Sequence, residues 1–170
     1  TGIGAEIVRA FAHQGARVGF LDFDRDAGQA LAAELDVVFQ YCDLRNIAEL
    51  RAGVAAVRER TGKFSALVNN AARDDRHEWQ DVTPEFWDER MATNLRHQFF
   101  VSQAVAPDMI DLGGGSIVNM GSCSWWEAMG GFPAYATTKA AVHGLTRTLA
   151  RDLGHHGIRV NTVVPGHIMT

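Results

Sequence analysis

The sequence predicts an α/β fold built on a parallel sheet, and three observations predict it. Five short apolar runs alternate with helix-patterned segments along the chain, and the runs are apolar enough to be buried on both faces. The third observation is chemical: Gly2, Asp22, Asp43, Asn69, Ser122 and Pro165 all fall at or just beyond the carboxyl ends of these runs or open a helix. In open α/β sheets ligands bind there, so these residues are placed to converge on one crevice.

The elements follow in order. Ile3, Ile7, Val8 and Phe11 have helical spacing, starting at Thr1-Gly2-Ile3-Gly4 and stopping at Gly15. A glycine pair opening a helix resembles the tail of a phosphate-binding loop, where backbone N–H groups meet a pyrophosphate. Arg17 to Asp22 is the first strand, and Asp24 is the N-cap of a helix running to about Leu35. Val37 to Tyr41 is the second strand. Asn46 with Glu49 three residues on has capping spacing, for a helix that ends at Gly62. Ser65 to Asn69 is the third strand. Thr83-Pro84 reads as an N-cap followed by proline at the first helical position, opening one long helix that contains Asn94 and ends near Met109. Gly113-Gly114-Gly115 precedes a strand, Ser116 to Met120, and is a loop rather than a nucleotide cradle. A helix from Tyr135 to Gly154 and a last strand, Ile158 to Val164, complete the pattern, with Pro165-Gly166 as the stop.

The 170 residues carry a net charge of -4, which gives no basic footprint for nucleic acid or an anionic membrane surface. Only two cysteines occur, Cys42 and Cys123, each read as a small hydrophobe, so a reducing cytoplasmic setting is the expectation. No apolar run is long enough to cross a bilayer, and no charged-then-apolar leader opens the sequence. The seven histidines are scattered without the spacing of a metal site, so no metal is expected.

The chemistry centres on Ala134-Tyr135-Ala136-Thr137-Thr138-Lys139, which sets a phenol and an ammonium four residues apart on one helix face. An opposite charge nearby favours the ionised form of an acid, so Lys139 is expected to lower the Tyr135 pKa and make it a proton shuttle. Asp22 lies about 20 residues after the glycines, where an acid can accept hydrogen bonds from a ribose and repel a 2′-phosphate. With Phe23 rather than arginine after it, Asp22 predicts NAD over NADP.

In this order the motifs resemble those of the short-chain dehydrogenases/reductases, over the whole chain. Gly2-Ile3-Gly4 resembles the end of that family's glycine loop; Asp43-Leu44 resembles the element with the acid that contacts adenine; Asn69-Asn70-Ala71-Ala72 resembles its Asn-Asn-Ala-Gly element, with Ala72 replacing the final glycine. Asn94, Ser122, Tyr135 and Lys139 fall on the catalytic tetrad, and Pro165-Gly166, Ile168 and Thr170 on the loop that holds the nicotinamide carboxamide. Thr1 stands where NADP-binding relatives often carry a basic residue. The resemblance implies a Rossmann-like doubly wound sheet and one NAD-binding catalytic domain over residues 1–170. It also implies that the family's first strand precedes Thr1, and that the last strand and substrate lobe follow Thr170, in a chain of roughly 250 residues. It assigns Tyr135 as acid/base, Ser122 as donor to the reacting oxygen, Lys139 to the nicotinamide ribose and the Tyr135 pKa, and Asn94 to a water linking the lysine to solvent.

Asn70 to His77, Asn94 to Phe100 and Gly121 to Trp126 further resemble the bacterial aldose 1-dehydrogenase branch, implying oxidation of a monosaccharide at C1 to a lactone. Ser122, Ser124, Trp126, Asp75, His77 and Tyr135 are the candidate sugar contacts. Two alternatives stay open: a 3-oxoacyl or steroid substrate, and an NAD-binding sensor without catalysis. A homodimer or homotetramer through the Asn94 and Tyr135 helices is also implied by the resemblance.

Overall fold

A computed structural model describes residues 2–168. Five strands form two parallel sheets: β1 (Gly19–Asp22) pairs with β2 (Val38–Tyr41), and β4 (Gly115–Met120) lies between β3 (Ala66–Asn69) and β5 (Ile158–Val163). The register is unshifted within each pair, so Asn69 faces Asn119 and Asp22 faces Tyr41. Within each sheet the carboxyl ends therefore point one way. β1 and β3 do not pair with each other, and both line one cleft.

Six α-helices cover the sheets: α1 (Gly2–His13), α2 (Arg25–Leu35), α3 (Ile47–Thr61), α4 (Pro84–Met91), α5 (His97–Asp111) and α6 (Pro133–Leu153). α2 and α3 both pack on β1 and β2, α5 packs on α3 and on β3 and β4, and α6 packs on β4 and β5. The larger core joins Leu50 and Val54 of α3, Val101, Val105 and Met109 of α5, and Ile117, Ile158 and Val160 of the strands. A smaller one holds Ala5 and Val8 of α1 against Leu31 of α2. Cys42 is buried and its thiol is pushed up to about 11 by burial, as suits an inert hydrophobe.

The local signals act as their chemistry requires. Asp24 accepts from Ala27 N–H at 3.0 Å, Asn46 accepts from Ala48 N–H at 3.0 Å, and Thr83 Oγ1 accepts from Phe86 N–H at 3.2 Å. α2 ends at Asp36 in the left-handed conformation and α3 at Gly62. Two expectations change. The long helix from Pro84 is interrupted by a π-helical turn, Ala92–Arg96, centred on Asn94. The last long helix starts at Pro133, not Tyr135, because a proline has no N–H to lose at the first helical position.

Gly114 has φ +152° and a Cβ there would sit 2.9 Å from Gly157 O, so this crossing before β4 and β5 accepts no side chain. Gly114→Ala should lower unfolding free energy in urea by about 1–3 kcal/mol without changing the slope of the transition. Wild-type stability for that variant would contradict this reading of the crossing.

Candidate active site

A groove of about 1040 Å³ is lined along the whole length of β1 and β3 and by residues beyond the carboxyl ends of the strands. Its walls include Gly2, Ile3 and Gly4 at the α1 N-terminus, Asp22 and Phe23 after β1, Asp43 and Leu44 after β2, and Asn70, Ala71 and Ala72 after β3. Ser122, Ser124, Tyr135, Lys139, Pro165, Gly166 and Ile168 line it as well. Thr1 and Thr170 lie outside the described residues. Asp75, His77, Asn94 and Trp126 are not on the groove wall.

The glycine end is fixed by packing. A Cβ on Gly4 would come within 2.8 Å of Asn70 Nδ2, so glycine there lets α1 approach the loop after β3. The first turn of α1, Gly2 to Gly4, lines the groove, where a helix N-terminus suits a diphosphate. Asp22 holds its turn by accepting from Asp24 N–H at 3.0 Å. Asp43 is engaged by a residue that sequence reading missed: Arg45 donates Nε to Oδ1 at 2.9 Å and Nη2 to Oδ2 at 2.7 Å. That hydrogen bonding holds the Asp43 carboxyl below its ordinary pKa. The only signal for Arg45 was its place two residues beyond an acid at a strand end.

From Arg45 a run of alternating charges crosses to the other side. Arg45 meets Glu89 at 3.3 Å, Glu89 meets Arg90 at 3.1 Å, Arg90 meets Asp75 at 2.8 Å, and Asp75 meets Arg73 at 2.7 Å. Arg90 is buried, so its contact with Asp75 anchors the loop rather than decorating a surface. Asn94 completes the anchor: its Oδ1 accepts from Arg73 N–H at 2.7 Å and its Nδ2 donates to Arg73 O at 3.0 Å. The side chain thus holds the loop, and the Asn94 carbonyl accepts from Gln98 Nε2 at 3.2 Å. The π turn is what turns Asn94 inward, and nothing in the helical spacing signalled it.

Lys139 is buried, and its Nζ donates to Met120 O at 2.7 Å, 5.5 Å from the centroid of the Tyr135 ring. Burial lowers its pKa to about 8, with the Asp74 charge opposing. Tyr135 is pushed up, chiefly by burial, with the nearby Ser122 hydroxyl opposing, without a hydrogen bond to the phenol, and the Asp74 and Cys123 charges adding to the rise. This corrects the expectation that Lys139 by itself makes the phenolate cheap. The ammonium lies over the ring but donates to a main-chain carbonyl rather than to the phenol oxygen. Ser122 Oγ donates to Ser124 Oγ at 3.0 Å and accepts from Ser124 N–H at 3.2 Å, so Ser124 holds Ser122 beside the phenol. Trp126 is 60% exposed and packs with Trp125 and His143.

His97, directly after the π turn, is 1% exposed, and neither ring nitrogen makes a hydrogen bond. Burial brings its pKa down to about 4, aided by the Lys139 charge; the nearby Ala92 and Thr93 carbonyls, without hydrogen-bond geometry, oppose the shift. Among the described residues no cluster of three potential metal ligands occurs, and no helix is long and apolar enough to cross a membrane.

The short chain dehydrogenase family matches residues 1–170, and the chain belongs to it. It is 46% identical to the D-xylose 1-dehydrogenase of Caulobacter vibrioides over 175 residues, covering 100% of this chain and 69% of that one. It is 47% identical over 176 residues to a Rhizobium meliloti protein named "Probable galactose dehydrogenase GalD", with the same coverage. A D-threitol dehydrogenase of Mycolicibacterium smegmatis is 35% identical over 175 residues, with 67% of it covered. A solved structure from Sinorhizobium meliloti 1021, assigned to the short-chain alcohol dehydrogenases, superposes with a TM-score of 0.94 at 32% identity, over 99% of this chain and 69% of that one. The chain is thus an oxidoreductase acting on CH–OH groups, of the Rossmann-like α/β class that the resemblance implied.

The Lys139 pKa has a sign that can be measured. Its native value near 8 lies below the ordinary 10.5, so the native state binds fewer protons between those values. Wild-type stability without nucleotide should therefore rise from pH 8 to 10.5 relative to Lys139→Met, by up to about 3 kcal/mol. A difference between the two proteins that is flat with pH in urea unfolding would refute the burial argument.

Proposed function

We propose that this protein oxidises a monosaccharide at its C1 hydroxyl with NAD, giving a lactone. The observation that carries the reading is Tyr135, with Ser122 and Lys139, on the wall of the same groove that Asp22 lines. The two relatives near 46–47% identity, named as xylose and galactose dehydrogenases, support the sugar. The residues fit a dinucleotide: glycines at a helix start for the diphosphate, Asp22 for the adenosine ribose hydroxyls, and Asp43 and Leu44 at the adenine side. Lys139 retains donors beyond its bond to Met120 O for a nicotinamide ribose. When bound, the nicotinamide supplies the hydride acceptor.

The chain's own residues do the rest. Ser122 donates to the substrate oxygen as it becomes a carbonyl, and Tyr135 takes the hydroxyl proton. Because burial raises the Tyr135 pKa, that proton transfer depends on positive charge brought into the groove beside Lys139. Asp22 would repel a 2′-phosphate, and Phe23 offers it no cation, which favours NAD over NADP. A homo-oligomer through α5 and α6 accords with the exposure of Phe99 and Ile110 on α5.

Xylose, arabinose, galactose, fucose and rhamnose should be screened with NAD by absorbance at 340 nm. At least one should be turned over, and Tyr135→Phe should lower kcat by roughly 10²–10⁴-fold while leaving NAD affinity in place. Turnover of a secondary alcohol or hydroxyacyl compound and of none of these sugars would sink the sugar assignment.

A further inference from the structure

α6, which carries Tyr135 and Lys139, begins without a cap of its own. The residue before it is Phe132, which offers no side-chain acceptor, and the first helical residue is Pro133. The first N–H left without an intrahelical partner is that of Ala134, beside the tyrosine. It donates to Nε2 of His77, 57 residues away in sequence, at 3.4 Å.

His77 is held for this role from every side. Its Nδ1 lies 2.8 Å from Asp75 O, and only a protonated Nδ1 can bond a carbonyl, so Nε2 carries the lone pair. The ring meets Phe86 edge-on at 4.7 Å, and the backbone N–H of His77 donates to Gly131 O at 2.8 Å. Next to it, Arg76 Nη1 donates to Gly130 O at 3.1 Å and stacks 3.9 Å over Phe132, whose ring meets Tyr135 edge-on at 5.5 Å. Asp75, whose carbonyl fixes the tautomer, is pinned through its carboxylate to buried Arg90.

We propose that His77 is a positioning residue that caps α6 from a distance and so sets where Tyr135 stands, rather than a sugar contact. Both ring nitrogens are used within the protein, and the ring is not on the groove wall. The loop after β3 thus links two parts of the site: Arg73 grips Asn94, and His77 grips the helix of the tyrosine.

The inference rests on the dehydrogenase reading for its kinetic arm only, and a second arm is free of it. Three variants of the full-length protein separate the roles: His77→Phe keeps the ring and loses the acceptor, His77→Asn is too short to reach, and His77→Gln puts an amide oxygen near the position of Nε2. Hydrogen exchange over residues 132–138 should quicken in the first two and return toward wild type in the third. On the sugar that is turned over, kcat should fall roughly tenfold or more in the Phe and Asn variants, with KM for the sugar within about twofold and recovery in the Gln variant. A raised sugar KM with kcat preserved would make His77 a substrate contact and overturn the proposal. Unchanged exchange over 132–138 in both the Phe and Asn variants would overturn it equally. Should no sugar be turned over, the exchange comparison still decides the cap, while the sugar reading alone fails. If His77→Phe does not fold, the Asn and Gln pair carries the same contrast.

Discussion

The site depends on a buried run of amides and hydroxyls that crosses the larger sheet beneath it. Asn69 Nδ2 donates to Asn119 Oδ1 at 2.8 Å, Asn119 Nδ2 to Thr146 Oγ1 at 2.9 Å, and Thr162 Oγ1 to Thr146 Oγ1 at 2.7 Å. Ser102 and the Gln98 carbonyl of α5 also bond Asn69 Nδ2, at 3.3 and 3.4 Å. Three strands, α5 and α6 are thereby tied at one level. Each bond contributes about 1 kcal/mol net, but leaving one of these buried groups unpaired costs about 1–3 kcal/mol, so the elements cannot slide independently. α5 continues from the turn that carries Asn94, β4 runs into Ser122, and α6 carries Tyr135 and Lys139, so this network sets the spacing of all four.

Above the network, burial weakens the tendency of both groups of the site to ionise. Burial raises the phenol and lowers the ammonium, the two shifts that disfavour ionisation of both partners. This accords with a tyrosine whose proton transfer is coupled to cofactor binding instead of one that is ionised at rest. The ion pairs from Asp43 to Arg73 run from the turn after β2 to the loop after β3, giving these two parts of the site a shared support.

Much of this was legible in the sequence because it depends on local chemistry. Asp24, Asn46 and Thr83 cap helices through bonds that need only neighbouring residues, and the five strands are apolar runs bounded by breakers. Gly4 was legible as a loop glycine, while its packing reason, the approach of Asn70, was not. What spacing could not reveal comes from distant pairing. The π turn needs the loop at Arg73 to reward the inward Asn94; Arg45 needs Asp43 and Glu89 together; the Lys139 ammonium turns from its helix to the Met120 carbonyl at the end of β4. His77, read as a sugar contact from its place in a polar loop, meets the protein on both nitrogens because that loop folds against Gly130 to Ala134. Asn119 sits inside a strand, where only the register with Asn69 discloses its partner.

The most direct test of the account is calorimetric titration with NAD and NADP, since every assignment in the groove assumes a dinucleotide lying from Asp22 to Tyr135. The account predicts saturable NAD binding at one site per chain, with NADP at least roughly tenfold weaker because its 2′-phosphate meets the Asp22 carboxylate. Binding of neither nucleotide, or of NADP as tightly as NAD, would contradict it.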